Sequence, residues 1–104
     1  MNLYVQEFGV KKTHDEFNAD LNMRAQFNMF VQFIIVRYAN EPTVMAWELA
    51  NDFCCNSSVG ASPSCNTNTI TQWHADESKF AKSIDPNHLV ASGYAQILSL
   101  SMAF

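Results

Sequence analysis

Long hydrophobic runs, a basic patch and a leader are all missing from this 104-residue chain, and each absence excludes something. No stretch approaches the ~18 apolar residues of a membrane span. Six Lys and Arg stand against ten Asp and Glu, a formal charge of −4. That balance argues against nucleic acid or an anionic membrane as partner. Met1-Asn2-Leu3-Tyr4-Val5-Gln6-Glu7 has neither the basic n-region nor the apolar h-region of a signal peptide. Read literally this is a cytosolic chain; the alternative is that its natural start lies upstream. Cysteine is scarce too. Cys54, Cys55 and Cys65 all surround one loop, and an odd count leaves one thiol over if the other two pair. No second Cys or His pair stands at ligand spacing, so a metal site is disfavoured. The histidines, His14, His74 and His88, are scattered, which suits surface or core roles better than catalysis.

What is present is core-building material: 48% hydrophobic and 12% aromatic residues. Residues 1–13 carry no clear period, and Lys11-Lys12-Thr13-His14 reads as a solvated loop. From Asp20 to Tyr38 the pattern is helical, with Met23, Phe27, Phe30, Val31, Ile34 and Tyr38 on one stripe. Asp20 is the expected N-cap, and Pro42 forces Glu41 extended. A strand is expected over 43–52, with Val44, Ala46, Glu48, Ala50 and Asp52 on one parity and Met45, Trp47, Leu49 and Asn51 on the other. Both faces are mostly apolar, as in a parallel strand covered on both sides. A polar, turn-rich loop follows. Thr69-Ile70-Thr71-Gln72 has the form of a capping box, so a second helix is expected from about Ile70. Its stripe is Ile70, Trp73, Phe80, Ala81 and Ile84, with Glu77 where an apolar residue belongs. Asp85-Pro86-Asn87 ends that helix, and His88-Leu89-Val90-Ala91-Ser92-Gly93 reads as a second buried strand. The tail, Tyr94 to Phe104, is apolar without a period.

Helix, strand, loop, helix, strand make a right-handed βαβ unit with a helix before it, the building block of α/β folds. Two strands do not form an independently stable parallel sheet, so the organisation reads as a slice of something larger. In such folds the chemistry lies beyond the carboxyl ends of the strands, where Asn51 and Asp52 stand.

These residues carry a family resemblance. Arg37-Tyr38-Ala39-Asn40-Glu41-Pro42-Thr43 followed by Met45-Ala46-Trp47-Glu48-Leu49-Ala50-Asn51 resembles the fourth barrel strand of glycoside hydrolase family 5, and most of all its fungal endo-β-1,4-mannanases. Lys82-Ser83-Ile84-Asp85 and Asn87-His88-Leu89-Val90 resemble the next helix end and the fifth strand, while Tyr4-Val5 and His14-Asp15-Glu16-Phe17 resemble the loop before the third helix. The likeness covers roughly residues 4–93. It implies that 1–104 is a partial catalytic domain, about a third of a (β/α)8 TIM barrel running from the third helix through the fifth strand; a whole barrel takes about 250 residues. An incomplete or misjoined gene model would explain a start at an internal methionine and the loss of the family pattern after Gly93.

The resemblance also implies a chemistry: retaining hydrolysis of internal β-1,4-mannosidic bonds in mannan or a related plant cell-wall polysaccharide, without metal or organic cofactor. Retaining glycosidases use two carboxyl groups about 5–5.5 Å apart, one as acid/base and one as nucleophile. Asp52 stands where the family has its acid/base glutamate, and Asn51 where it has the asparagine that meets the sugar 2-hydroxyl. The shorter side chain removes one methylene, ~1.3–1.5 Å of reach, and a misplacement of about 1 Å can cost about 100-fold in rate. Phe53 and Cys54 replace the family's proline and arginine. The nucleophilic glutamate belongs to a later strand that has no counterpart here. Outside the resemblance, Asp52 reads first as a helix or turn cap after a strand. Glu48 is expected to be a buried, hydrogen-bonded structural residue. Similar loops in the family carry a disulfide, here Cys55 to Cys65, leaving Cys54 free. The resemblance implies an extracellular protein, in which Asn56-Ser57-Ser58 would be a glycosylation acceptor. The alternatives are a family 5 β-glucanase or cellulase fragment, which shares this strand, and a non-catalytic carbohydrate-binding remnant, which exposed aromatics lining a groove would favour.

Overall fold

The computed structural model describes residues 20–50, 55 and 62–93. Among them, in order, are α1 (Leu21–Tyr38), β1 (Ala46–Glu48), α2 (Thr67–Ile84) and β2 (Leu89–Ala91). The expected loop at 11–14, the apolar tail at 94–104 and the end of the first strand at 51–52 lie outside the described residues.

The start of α1 is as expected: the Asp20 carboxylate accepts from the backbone N–H groups of Asn22 and Met23, both at 3.0 Å, satisfying two of the orphan donors of a first turn. Arg37 in the last turn complements the negative end of the helix dipole. The expected stripe is only half right. Met23 and Ile35 are buried, and Phe27, Val31 and Ile34 are half-buried, but Phe30 is 55% and Tyr38 39% exposed. Leu21, Met29, Phe33 and Val36 are exposed as well. Apolar residues occur all round this helix, so periodicity alone does not single out the face that packs against β1, β2 and α2.

β1 starts later than the period-2 reading predicts. Both the backbone N–H (3.2 Å) and the hydroxyl (2.9 Å) of Thr43 bond to the Glu41 carboxylate, and the Val44 N–H donates to the Glu41 carbonyl at 3.2 Å. Those bonds hold 41–44 as a turn and postpone the ladder to Ala46. α2 starts earlier than the expected Ile70. Its N-cap is Asn66, whose side-chain oxygen accepts from the Thr69 N–H at 3.1 Å. Gln72 does not close a capping box; its amide donates to Asp76 at 2.8 Å instead. At the far end the Asp85 N–H donates to the Ala81 carbonyl at 2.9 Å, and Pro86 follows.

β1 and β2 pair in parallel, with Ala46 opposite Leu89, Trp47 opposite Val90 and Glu48 opposite Ala91. Trp47, Leu49 and Val90 join Val31, Ile35, Ala81 and Ile84 in the core between sheet and helices. Ile70 and Trp73 form a second cluster with Phe27, Leu49, Ala50, Cys55 and Cys65. The opposite sheet face differs from the expectation of cover on both sides. Strand alternation places Ala46, Glu48, Leu89 and Ala91 there, and Leu89 is 61% exposed. Glu48 on that face is exposed too, and not the buried structural residue expected.

Between the helices, Arg24 reaches Glu77 at 3.3 Å and Asp76 at 3.4 Å. Glu77 is buried, which explains a carboxylate inside an apolar stripe. Burial pushes its pKa up from the ordinary value, and the Arg24 charge only partly offsets this.

Candidate active site

The site expected from the sequence follows the carboxyl end of β1, and the described residues show in most detail the network at the opposite end of the two strands. Trp47 on β1 donates its indole N–H to the Asp85 carboxylate at 2.7 Å. The other Asp85 oxygen accepts from the backbone N–H groups of Asn87 (2.9 Å) and His88 (3.2 Å). The ring nitrogen Nδ1 of His88 lies on the same carboxylate, and its Nε2 lies 3.0 Å from the Glu41 carbonyl. Lys82 donates to the carbonyls of Pro86 (3.1 Å) and His88 (2.8 Å). One fully buried carboxylate thus ties the start of β1, the end of α2 and the start of β2 together. Burial opposes its charge, yet the bonds from Trp47, His88 and Asn87 win, holding the Asp85 carboxyl well below the usual carboxylate range.

At the carboxyl end the ladder continues past β1, with the Leu49 N–H donating to the Ala91 carbonyl at 3.0 Å. The chain then leaves the sheet at Ala50, one peptide bond before Asn51. Asn51, Asp52, Cys54 and Asn56 lie outside the described residues, as does His14. Cys55 and Cys65 are joined in a disulfide with Cα atoms 5.8 Å apart. The bridge lies against Ile70 and Trp73, so it closes the loop after β1 onto the core. Neither described histidine stands at the carboxyl ends of the strands. His74 is buried edge-on to Trp73 with ring centroids 5.0 Å apart, and burial lowers its pKa. His88 belongs to the Asp85 network at the other end.

Two residues that fix the ends of the strands carry only weak signals in the sequence. Asp85 was legible only as a helix end, although an Asp followed two residues on by a free backbone N–H is an Asx-turn signal. Gly93 was read as the last residue of a strand. β2 ends at Ala91, and Gly93, two residues on, has a φ of +68°; an isolated glycine after an apolar run is the signal of close backbone approach.

Among the described residues, a parallel βαβ unit with helices packed on one sheet face is a portion of an α/β protein. Sequence comparison places it further: residues 2–102 match the group described as GH family 5 beta-mannosidase-like, and the chain belongs to that glycoside hydrolase family. Mannan endo-1,4-beta-mannosidase F of Aspergillus fumigatus is 36% identical over 93 residues, 89% of this chain and 19% of the relative. Mannan endo-1,4-beta-mannosidase A of Hypocrea jecorina is 37% identical over 93 residues, with the same two shares. In three dimensions the chain resembles the endo-1,4-beta-mannanase of Rhizomucor miehei (TM-score 0.83, 35% identity, 90% of this chain and 29% of that one). The endo-beta-1,4-mannanase of Thermotoga petrophila is also similar (TM-score 0.74, 38% identity, 90% and 20%). The chain therefore spans about a fifth of the length of the curated relatives it matches.

Proposed function

We propose that this chain is the part of a retaining endo-β-1,4-mannanase that runs from the third helix through the fifth strand of a (β/α)8 barrel and carries the acid/base position. Asp52 occupies that position, Asn51 beside it meets the sugar 2-hydroxyl, and the nucleophile comes from a segment without a counterpart here. The substrate is β-mannan, and the reaction uses no metal or organic cofactor. The observation that carries the reading is the direction of β1: Ala46-Trp47-Glu48 is a strand parallel to β2, the Leu49 N–H extends the ladder to the Ala91 carbonyl, and in sequence Asn51-Asp52 follow the carboxyl end of that strand. The sheet face on that path is open among the described residues, as the inward face of an incomplete barrel would be. The relatives' names support mannan over β-glucans.

The non-catalytic reading is weaker. The exposed aromatics Phe30, Phe33 and Tyr38 lie on α1 among Met29 and Val36, on a helix surface and not around the end of β1. The Cys55–Cys65 bridge supports an extracellular location, since such bonds persist in oxidising compartments; there Asn56 becomes a glycan acceptor.

The test is a hybrid in which the matching segment of the Rhizomucor miehei enzyme is replaced by residues 4–93 of this chain. With Asp52 in place, the hybrid hydrolyses manno-oligosaccharides slowly. Asp52→Glu raises kcat by about 100-fold, because it restores the missing reach. A folded hybrid whose turnover does not change with Asp52→Glu would refute the assignment.

A further inference from the structure

Beyond the strand end of β2, Gly93 combines two unusual demands. Its φ of +68° lies in the left-handed region that L side chains rarely adopt. A Cβ at this position would stand 1.6 Å from the Ala50 carbonyl oxygen, 2.8 Å from the Ala50 carbonyl carbon and 2.8 Å from the Glu48 Cγ. The first two are backbone atoms and cannot swing aside as a side chain can. A comfortable carbon–oxygen contact is about 3.3 Å, so a methyl group would have to move the Ala50 carbonyl, or Gly93 itself, by well over 1 Å. Nor can the strands slide freely to make room, because the Leu49 N–H is bonded to the Ala91 carbonyl two residues before Gly93.

The two demands separate by residue type. Asparagine tolerates a positive φ, but it carries a Cβ. Only glycine meets both. The crowded atoms also matter by position, since the Ala50 carbonyl belongs to the peptide group whose nitrogen is that of Asn51.

We propose that Gly93 is a positioning residue for hydrolysis: by letting the end of β2 lie against the Ala50 carbonyl, it sets the direction in which the chain leaves β1 to present Asn51 and Asp52. This rests on the reading of Asp52 as the acid/base position. A displacement of more than 1 Å at Ala50 passes along one rigid peptide to Asn51. It is of the size that costs about 100-fold in rate.

The test uses the hybrid barrel carrying Asp52→Glu, compared with the same protein bearing Gly93→Ala or Gly93→Asn. The expected result is a fall in kcat of about 100-fold in both variants, with KM changed less than about threefold and circular dichroism unchanged. Exchange of the Leu49 amide should speed up by about tenfold, one factor of ten in local opening. Turnover within about threefold of the parent in both variants would overturn the proposal. So would full activity in Gly93→Asn beside an inactive Gly93→Ala, because φ alone would then be the demand. A folded parent hybrid without turnover would refute the acid/base reading. In that case the Leu49 amide still decides the close approach: unchanged exchange refutes it, and faster exchange keeps Gly93's hold on β1.

Discussion

Asp85 is the residue on which the geometry of both strands turns. Its carboxylate is buried and takes donors from β1, from the turn after α2 and from His88. Removing one donor while keeping an aromatic ring isolates that contribution. Trp47→Phe in the hybrid barrel should cost about 1.5–3 kcal/mol, the range for a hydrogen bond to a charged group, read from chemical denaturation. The pH dependence has a definite sign. The carboxyl is held below its ordinary value of 3.8, so its contribution is present above that pH and fades as the pH falls below it. Asp85→Asn should therefore lower stability at neutral pH and flatten the loss between about pH 4 and pH 2. An acid limb identical in both proteins would show that Asp85 is not the group being titrated. Glu77 acts in the opposite sense: with a raised pKa, its contribution is greatest below 4.5 and is lost as the pH rises.

At the level of elements, capping and bridging decided where segments begin and end. The Asp20 cap of α1 was readable because an Asp directly before an apolar-periodic run has one obvious role. Thr69 to Gln72 misled, because two side-chain chemistries competed for one helix start. Asn66 satisfies the free N–H groups three residues earlier, and Gln72 finds Asp76 one turn on. β1 was over-read for a similar reason, since the Glu41 carboxylate takes the Thr43 groups that would have extended the strand. The loop between β1 and α2 depends on a covalent constraint. Opening the ten-residue Cys55–Cys65 loop with a Cys55→Ser, Cys65→Ser pair should cost about 2–3 kcal/mol in the hybrid. Thermal unfolding with and without reductant measures it, and reductant should no longer shift the variant.

For the molecule as a whole, what it leaves uncovered matters most. The apolar core of the described residues is Met23, Ile35, Ile70, Trp73, Ala81 and Val90, while Leu21, Met29, Phe33, Val36, Met45 and Leu89 stay exposed. Apolar surface of that kind on α1 and on one sheet face calls for further layers. Expressed alone, the 104-residue chain should bind a hydrophobic dye, show no cooperative thermal transition and release no reducing sugar from mannan. A sharp calorimetric transition would contradict the first two expectations, and sugar release the third. The hybrid barrel should regain the transition, because the remaining strands cover those surfaces.

The order helix, strand, helix, strand and the family were legible in the amino-acid sequence, because they rest on local signals: an N-cap, hydrophobic periods, Pro42 and Pro86, and the Trp47-to-Asn51 run. Contacts between residues distant along the chain were not. Which side of an all-round apolar α1 is buried depends on what packs against it, and the exposure of Glu48 and Leu89 on one sheet face is set by tertiary packing and not by the strand's own alternation. Gly93 shows the division most sharply: its identity is local, but the need for it arises only where β2 meets the carbonyl of Ala50, forty-three residues earlier in the chain.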